Sequence, residues 1–141
     1  MVSGSVKFAN FEPDSISRFV EENGVDALEE MLSFASNLAS RGYNVIVELD
    51  KDGDGVVYVT EVARAKSDDA ILTEFFSVVR DFFSVMLNRD VSIFEIELAE
   101  KALEGEDYCE YRQYVFYHSN CDRRVFVKIF NNGTVEVFTE F

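Results

Sequence analysis

Three aspartates alternate with other residues in a glycine-rich stretch, at Asp50, Asp52 and Asp54, and Glu61 follows on the same segment. Carboxylate oxygens are the ligands that hard cations such as Ca²⁺ prefer. Carboxylates that crowd on one turn also repel one another, and a bound cation relieves that repulsion. This stretch is therefore the first candidate for a metal site.

The spacing resembles the calcium-binding loop of the EF-hand family. Such a loop of 12 residues places ligands at positions 1, 3, 5, 7, 9 and 12 and a glycine at position 6. Asp50, Asp52, Asp54 and Glu61 match positions 1, 3, 5 and 12, and Gly55 matches position 6. The resemblance implies Ca²⁺ as a ligand of these residues, and it covers this loop alone.

The flanking residues favour a different structure for the same stretch. An EF-hand needs a helix on each side of its loop, whereas residues 43–49 and 56–62 are rich in β-branched residues and predict strands. In a strand Glu61 would lie about 20 Å from Asp54, too far to share a cation. A β-hairpin turn is the preferred interpretation, and a weak cation site at its tip is an alternative.

No catalytic residue and no resident cofactor is predicted, which favours a protein that is not an enzyme. His118 is the single histidine and is followed by Cys121 at a predicted turn. A thiolate pair is conceivable there, but a catalytic pair also needs a cleft and an orienting group, so an exposed turn is the preferred interpretation. Cys109 and Cys121 are expected to be reduced thiols, too far apart to bond across a hairpin.

Acidic and aromatic residues concentrate in the second half of the chain. Glu95 and Glu97 are predicted to share one strand face while Phe94, Ile96 and Leu98 point to the core. A predicted partner-binding surface combines these acids with nearby tyrosines, at Glu95, Glu97, Tyr108, Glu110, Tyr111 and Tyr114. Tyrosine is enriched at protein interfaces. A solvated acidic strand with tyrosines in cross-strand packing is the alternative.

Charge limits the classes of partner. The 141 residues include 13 basic and 27 acidic side chains, for a net charge of −14. Nucleic acid and anionic membrane surfaces would be repelled, and no apolar run reaches membrane-spanning length. The segment at the N-terminus lacks the pattern of a signal peptide, so a cytoplasmic or host-cell interior location is expected. The charge serves either solubility or the capture of a basic protein.

The predicted elements define an α+β fold in one domain, 1–141. Helices are expected from Pro13 to before Gly24, from Asp26 to Arg41 and over 68–88, and residues 5–11 form either a strand or an extended arm. Strands are expected over 91–99, 108–117, 123–130 and 134–141 in addition to the hairpin. The order is α-α-β-β-α-β-β-β-β, with helices packed on a curved antiparallel sheet.

That order resembles the superfamily of nuclear transport factor two and ketosteroid isomerase. The resemblance implies a cone-like sheet around a long helix, with a pocket for a small molecule. It is one of topology and identifies no catalytic residue. The helix over 68–88 is apolar on most sides, so it is either buried on several sides or forms part of a homodimer interface.

The leading hypothesis is a non-enzymatic acidic protein that binds a basic protein surface or itself, conceivably as a nucleic-acid mimic. A cone-fold protein or enzyme for a small ligand and a calcium-binding protein are the alternatives.

Overall fold

The computed structural model describes residues 4–62, 67–101 and 110–141. Within them the chain forms three α-helices and seven strands. In chain order these are β1 (Val6–Ala9), α1 (Pro13–Asn23), α2 (Val25–Ser40), β2 (Val45–Leu49), β3 (Gly55–Val62), α3 (Asp68–Leu87), β4 (Glu97–Lys101), β5 (Tyr111–Tyr117), β6 (Val125–Phe130) and β7 (Thr134–Glu140). A single 3₁₀ turn (Ile93–Glu95) precedes β4.

The α+β prediction is confirmed. The strands form a seven-stranded, mostly antiparallel sheet in the order β1-β2-β3-β7-β6-β5-β4, in which β1 pairs with β2 in parallel. Residues 5–11 supply a strand, β1, which is one of the alternatives predicted for them. None of the helices in the described residues is long and apolar enough to cross a membrane. The cone-like shape stays a prediction.

The chain divides into two compact units. The first comprises Met1–Val59 with Thr139–Phe141, and the second comprises Thr60–Phe138. Each has its own buried apolar side chains. That residues 1–141 fold as a single domain stays a prediction.

In the first unit, α1 and α2 cover β2. Alternate residues of β2 are buried, and Phe19 of α1 with Met31 and Leu38 of α2 are fully enclosed. Gly24 separates the helices with φ of 92°, a backbone conformation that glycine adopts without strain. Helix α2 begins at Val25, one residue before the predicted start at Asp26, and Gly24 occupies the N-cap position without a side-chain bond.

In the second unit, α3 packs on one face of β5 and β6. Ser67 caps this helix as an acceptor from the Ala70 N–H at 3.2 Å, because a helix leaves its first N–H groups without backbone partners. Phe76 of α3 meets Phe116 of β5 edge to face, with ring centroids 5.0 Å apart. The broad apolar surface of α3 is largely internal to the chain, since Phe75, Val79 and Phe83 are buried.

The predicted strand over 91–99 is only partly correct. Residues 93–95 form the 3₁₀ turn, and the strand begins at Glu97. The alternation expected for a strand is therefore broken. Ile96 is buried as predicted, whereas Phe94 is 93% exposed and Leu98 is 38% exposed.

Candidate protein-contact site

The acidic stretch forms the tip of the β2–β3 hairpin. Leu49 pairs with Gly55, so residues 50–54 connect two strands rather than two helices. The Asp50 carboxylate accepts hydrogen bonds from the backbone N–H groups of Asp52 at 2.7 Å and Asp54 at 3.0 Å. This arrangement is typical of an aspartate that stabilises a turn.

Helix α1 supports this tip from the side. Arg18 donates to the carbonyl of Lys51, and Asn23 donates to the carbonyl of Gly53 at 2.7 Å. In the described part of the chain, no group of three or more His, Cys, Asp or Glu side chains is placed to hold a metal ion. The side chain of Glu61 lies outside the described residues, so Ca²⁺ binding by this loop stays a prediction.

His118 lies at the end of β5 and is buried, with 4% of its surface exposed. The prediction of an exposed turn histidine is therefore wrong. Its Nδ1 accepts from the Asn120 N–H at 3.0 Å, which places the proton of the neutral ring on Nε2. Cys121 donates its backbone N–H to the His118 carbonyl at 3.1 Å. Cys109 lies outside the described residues, so the prediction of two reduced thiols stays untested.

Tyr111 and Tyr114, two of the tyrosines predicted as a partner surface, do not lie together. Successive strand residues point to opposite faces of a sheet, so Tyr114 lies on the α3 side of β5 and Tyr111 on the other side. Glu97 is paired in register with Tyr117, on the side of Tyr111. Glu110 is exposed just before β5. Tyr108 lies outside the described residues.

Tyr114 belongs to a polar cluster that joins β5 to the start of α3. The Asp68 carboxylate accepts from Arg112 Nε at 2.6 Å and from the Tyr114 hydroxyl at 2.6 Å. The hydrogen bonds from Arg112 lower the pKa of Asp68. Burial and the hydrogen bond to Asp68 raise the pKa of Tyr114 to about 12. The cluster holds Asp68 ionised where a helix N-terminus favours negative charge, which gives Tyr114 a structural role.

Glu95 organises a second cluster around the 3₁₀ turn. Its carboxylate accepts from the Ser92 backbone N–H at 2.8 Å, and the Ser92 hydroxyl accepts from the Phe94 N–H at 3.2 Å. These reciprocal bonds form a capping box. We call residues 92–95 the Phe94 turn.

Arg89 and His118 bind the same carboxylate from outside the turn. Arg89 forms a bidentate ion pair with Glu95 at 2.8 and 3.3 Å, and His118 Nε2 lies 3.4 Å from Glu95 Oε1. The hydrogen bonds from Arg89 and then from the Ser92 N–H lower the pKa of Glu95 to about 2. Contacts of the Glu95 side chain with Ser92, Arg89 and His118 therefore fix the conformation of the Phe94 turn.

The turn presents apolar side chains to solvent. Phe94 is 93% exposed and Ile93 is 44% exposed. A large aromatic side chain on a rigid support loses little conformational freedom on binding, so it is suited to act as an anchor for a protein partner. The geometry of the Phe94 turn therefore makes it the candidate contact site.

Among the residues of the Phe94 turn, the sequence identified Glu95 as a site residue but placed Phe94 in the core. A detectable signal was present in the spacing Ser92-Ile93-Phe94-Glu95, which fits a capping box. A capping box begins a helical turn and so contradicts continuous strand alternation at these positions. No comparable sequence pattern indicates the contacts of Glu95 with Arg89 and His118.

We expect the Glu95 carboxylate to titrate near pH 2 and to make stability depend on pH. A carboxyl group whose pKa falls from 4.5 to about 2 on folding stabilises the folded state above pH 4.5, and this contribution is lost as the pH falls toward 2. Glu95→Gln should remove the contribution of this carboxyl group to the pH dependence of stability. Urea unfolding at several pH values in this range would measure it.

Glu110→Gln is the matched control, because it removes the same charge from an exposed position before β5. The control should keep the wild-type dependence on pH. Equal dependence in Glu95→Gln and the wild type would contradict the assignment of Glu95 as the ionised centre of the Phe94 turn.

No protein-family model, curated protein or solved structure matches this chain.

Proposed function

We propose that this chain is a non-enzymatic interaction protein that binds a partner protein with a basic surface. The observation that carries the proposal is the exposure of Phe94 on a turn fixed by a capping box and an ion pair. The strongly perturbed carboxylate of the turn, Glu95, is engaged in holding that shape. Its role is thus to position an anchor rather than to transfer a proton.

The energetics favour an anchor at this position. Burial of a phenylalanine side chain contributes about 1.5–3 kcal/mol relative to leaving it in water. Residues that dominate protein interfaces are often large, and they fill pockets on the partner. Because hydrogen bonds already order the backbone of the Phe94 turn, binding has only the rotamers of the exposed Phe94 side chain left to fix.

Charge supports a basic partner. The chain carries −14, and a field of this sign speeds the approach of a positively charged protein while repelling nucleic acid. Arg89, which binds the turn through Glu95, is neutralised by that carboxylate. A protein that ordinarily binds nucleic acid has a surface of the required sign, and the chain would then act as a nucleic-acid mimic.

The test is affinity capture from the organism that encodes the chain, with Phe94→Ala beside the wild type. We expect a basic partner to be retained at about 50 mM salt and released at about 300 mM, because salt screens the attraction. Phe94→Ala should weaken binding by roughly tenfold or more. Calorimetry with the isolated partner would then measure the ratio of the two dissociation constants, that of Phe94→Ala and that of the wild type.

Phe8→Ala is the control for general loss of apolar surface, since Phe8 is 53% exposed in the first unit. It should bind as the wild type does. Recovery of no salt-sensitive basic protein, or equal binding by Phe94→Ala and the wild type, would refute the proposal.

A further inference from the structure

The chain contains two asparagines that are each followed by glycine, in the pairs Asn23-Gly24 and Asn132-Gly133. An asparagine in this pairing can convert itself to an acid, because the next backbone nitrogen can attack the side-chain amide carbon. A glycine at the next position favours this attack, since it has no Cβ to obstruct the approach and its backbone is permissive. The structure places the two pairs in very different surroundings.

Asn132 lies at the tip of the hairpin that joins β6 to β7, and it is exposed. Gly133 has φ of 91° and donates its N–H to the carbonyl of Phe130 at 3.1 Å, which closes the turn. This hydrogen bond has to open before the Gly133 nitrogen can attack. A bond at an exposed tip opens at little cost in free energy, because few buried contacts break with it.

A second hydrogen bond at the tip favours the reaction itself. The Thr134 N–H donates to Oδ1 of Asn132 at 3.0 Å. When the Gly133 nitrogen adds to the side-chain carbon of Asn132, negative charge develops on this oxygen. A donor aimed at the atom on which charge develops stabilises the transition state. Asn132 thus combines an exposed amide, a next residue without a side chain and a donor at the reacting carbonyl.

Asn23 is held by partners that the same reaction would have to break. It is the last residue of α1, and its Nδ2 atom donates to the carbonyls of Gly53 at 2.7 Å and Phe19 at 3.3 Å. The Gly24 N–H donates to the Val20 carbonyl at 2.8 Å. The nitrogen that would leave and the nitrogen that would attack are therefore both engaged. Reaction at Asn23 requires the last turn of α1 to open beside the fully buried Phe19.

We propose that Asn132 is a site of spontaneous deamidation and that Asn23 is protected in the folded chain. The Gly133 nitrogen forms a bond to the Asn132 side-chain carbon, and the bond from that carbon to the amide nitrogen breaks. Ammonia leaves, carrying the proton of the Gly133 N–H. Water then opens the resulting succinimide ring at either carbonyl, which gives aspartate or isoaspartate. Water is the only co-reactant.

The reaction changes the charge and the backbone of the hairpin. Each product carries a carboxylate where the amide stood, so the net charge becomes one unit more negative than −14. In isoaspartate the backbone runs through the former side chain, which lengthens the connection beyond the paired residues Ile129 and Val135. The length of its loop fixes the register of a hairpin, so this product disturbs the turn. The modification goes beyond the proposed partner binding and does not depend on it.

The experiment is incubation of the purified full chain in its folded state at mildly alkaline pH, with samples taken over several weeks. Rapid proteolysis at acid pH and mass spectrometry would measure the fraction of each asparagine that has become an acid. We expect Asn132 to react at least roughly tenfold faster than Asn23, because the helical turn costs more free energy to open than the hairpin tip. Asn132→Gln should remove the mass increase of its peptide, which excludes the neighbouring Asn131 as the source.

The same incubation in urea is the matched control, because unfolding removes the structural difference between the two pairs. Asn23 and Asn132 should then react at rates within about twofold of each other. A folded chain in which Asn132 stays intact while the unfolded chain reacts fully would overturn the proposal. So would conversion of Asn23 as fast as Asn132 in the folded chain, since the structure would then protect neither.

Discussion

Replacement of Phe116 by alanine is expected to lower the free energy of unfolding by about 3–5 kcal/mol. The Phe116 side chain is fully buried in the second unit and meets Phe76 of α3 edge to face at 5.0 Å. Its removal would leave a cavity between the helix and β5. Tight packing around the site limits the relaxation that could fill this cavity.

Urea unfolding monitored by circular dichroism would measure the effect. Phe94→Ala is the matched control, because it deletes the same atoms from a side chain that is 93% exposed. The control should change stability by no more than about 0.5 kcal/mol. A similar loss for both variants would show that Phe116 does not hold α3 against the sheet.

The second large effect concerns Gly55. A Cβ atom at this position would lie 3.0 Å from Met31 Sδ and 3.0 Å from Phe19 Cε2. These atoms belong to fully buried side chains of α1 and α2 in the first unit. Gly55→Val is expected to destabilise the chain by about 1–3 kcal/mol, as overpacking of a filled core does. Urea unfolding of Gly55→Val and of the wild type would measure the difference in their free energies of unfolding.

A second substitution identifies the cause. Met31→Ala makes room beside residue 55, so Gly55→Val should cost less in that background than in the wild type. A double-mutant cycle measures this coupling. The loss should also be the same with Ca²⁺ and with chelator, since it arises from packing. Loss of stability that appeared only in the presence of Ca²⁺ would assign Gly55 to a calcium loop instead.

Much of the secondary structure follows from local sequence. The apolar spacing of α2 and α3 was sufficient to predict both helices, and Ser67 caps α3 as its residue type indicates. The β-branched residues on each side of Asp50 and Asp54 predicted the strands of the hairpin. These features depend on residues near one another in the chain, where propensity, periodicity and capping act.

The candidate contact site depended on tertiary structure. Glu95 meets His118 from 23 positions away, and Asp68 meets Arg112 from 44 positions away. The sequence by itself determined the helices, the strands and the charge of the chain, because these depend on local pattern and composition. Only the tertiary structure decided that Phe94 is exposed, that His118 is buried and that Asp68 binds Arg112. Burial and side-chain pairing depend on which helices and strands pack against one another. Local sequence pattern carries little information about that packing.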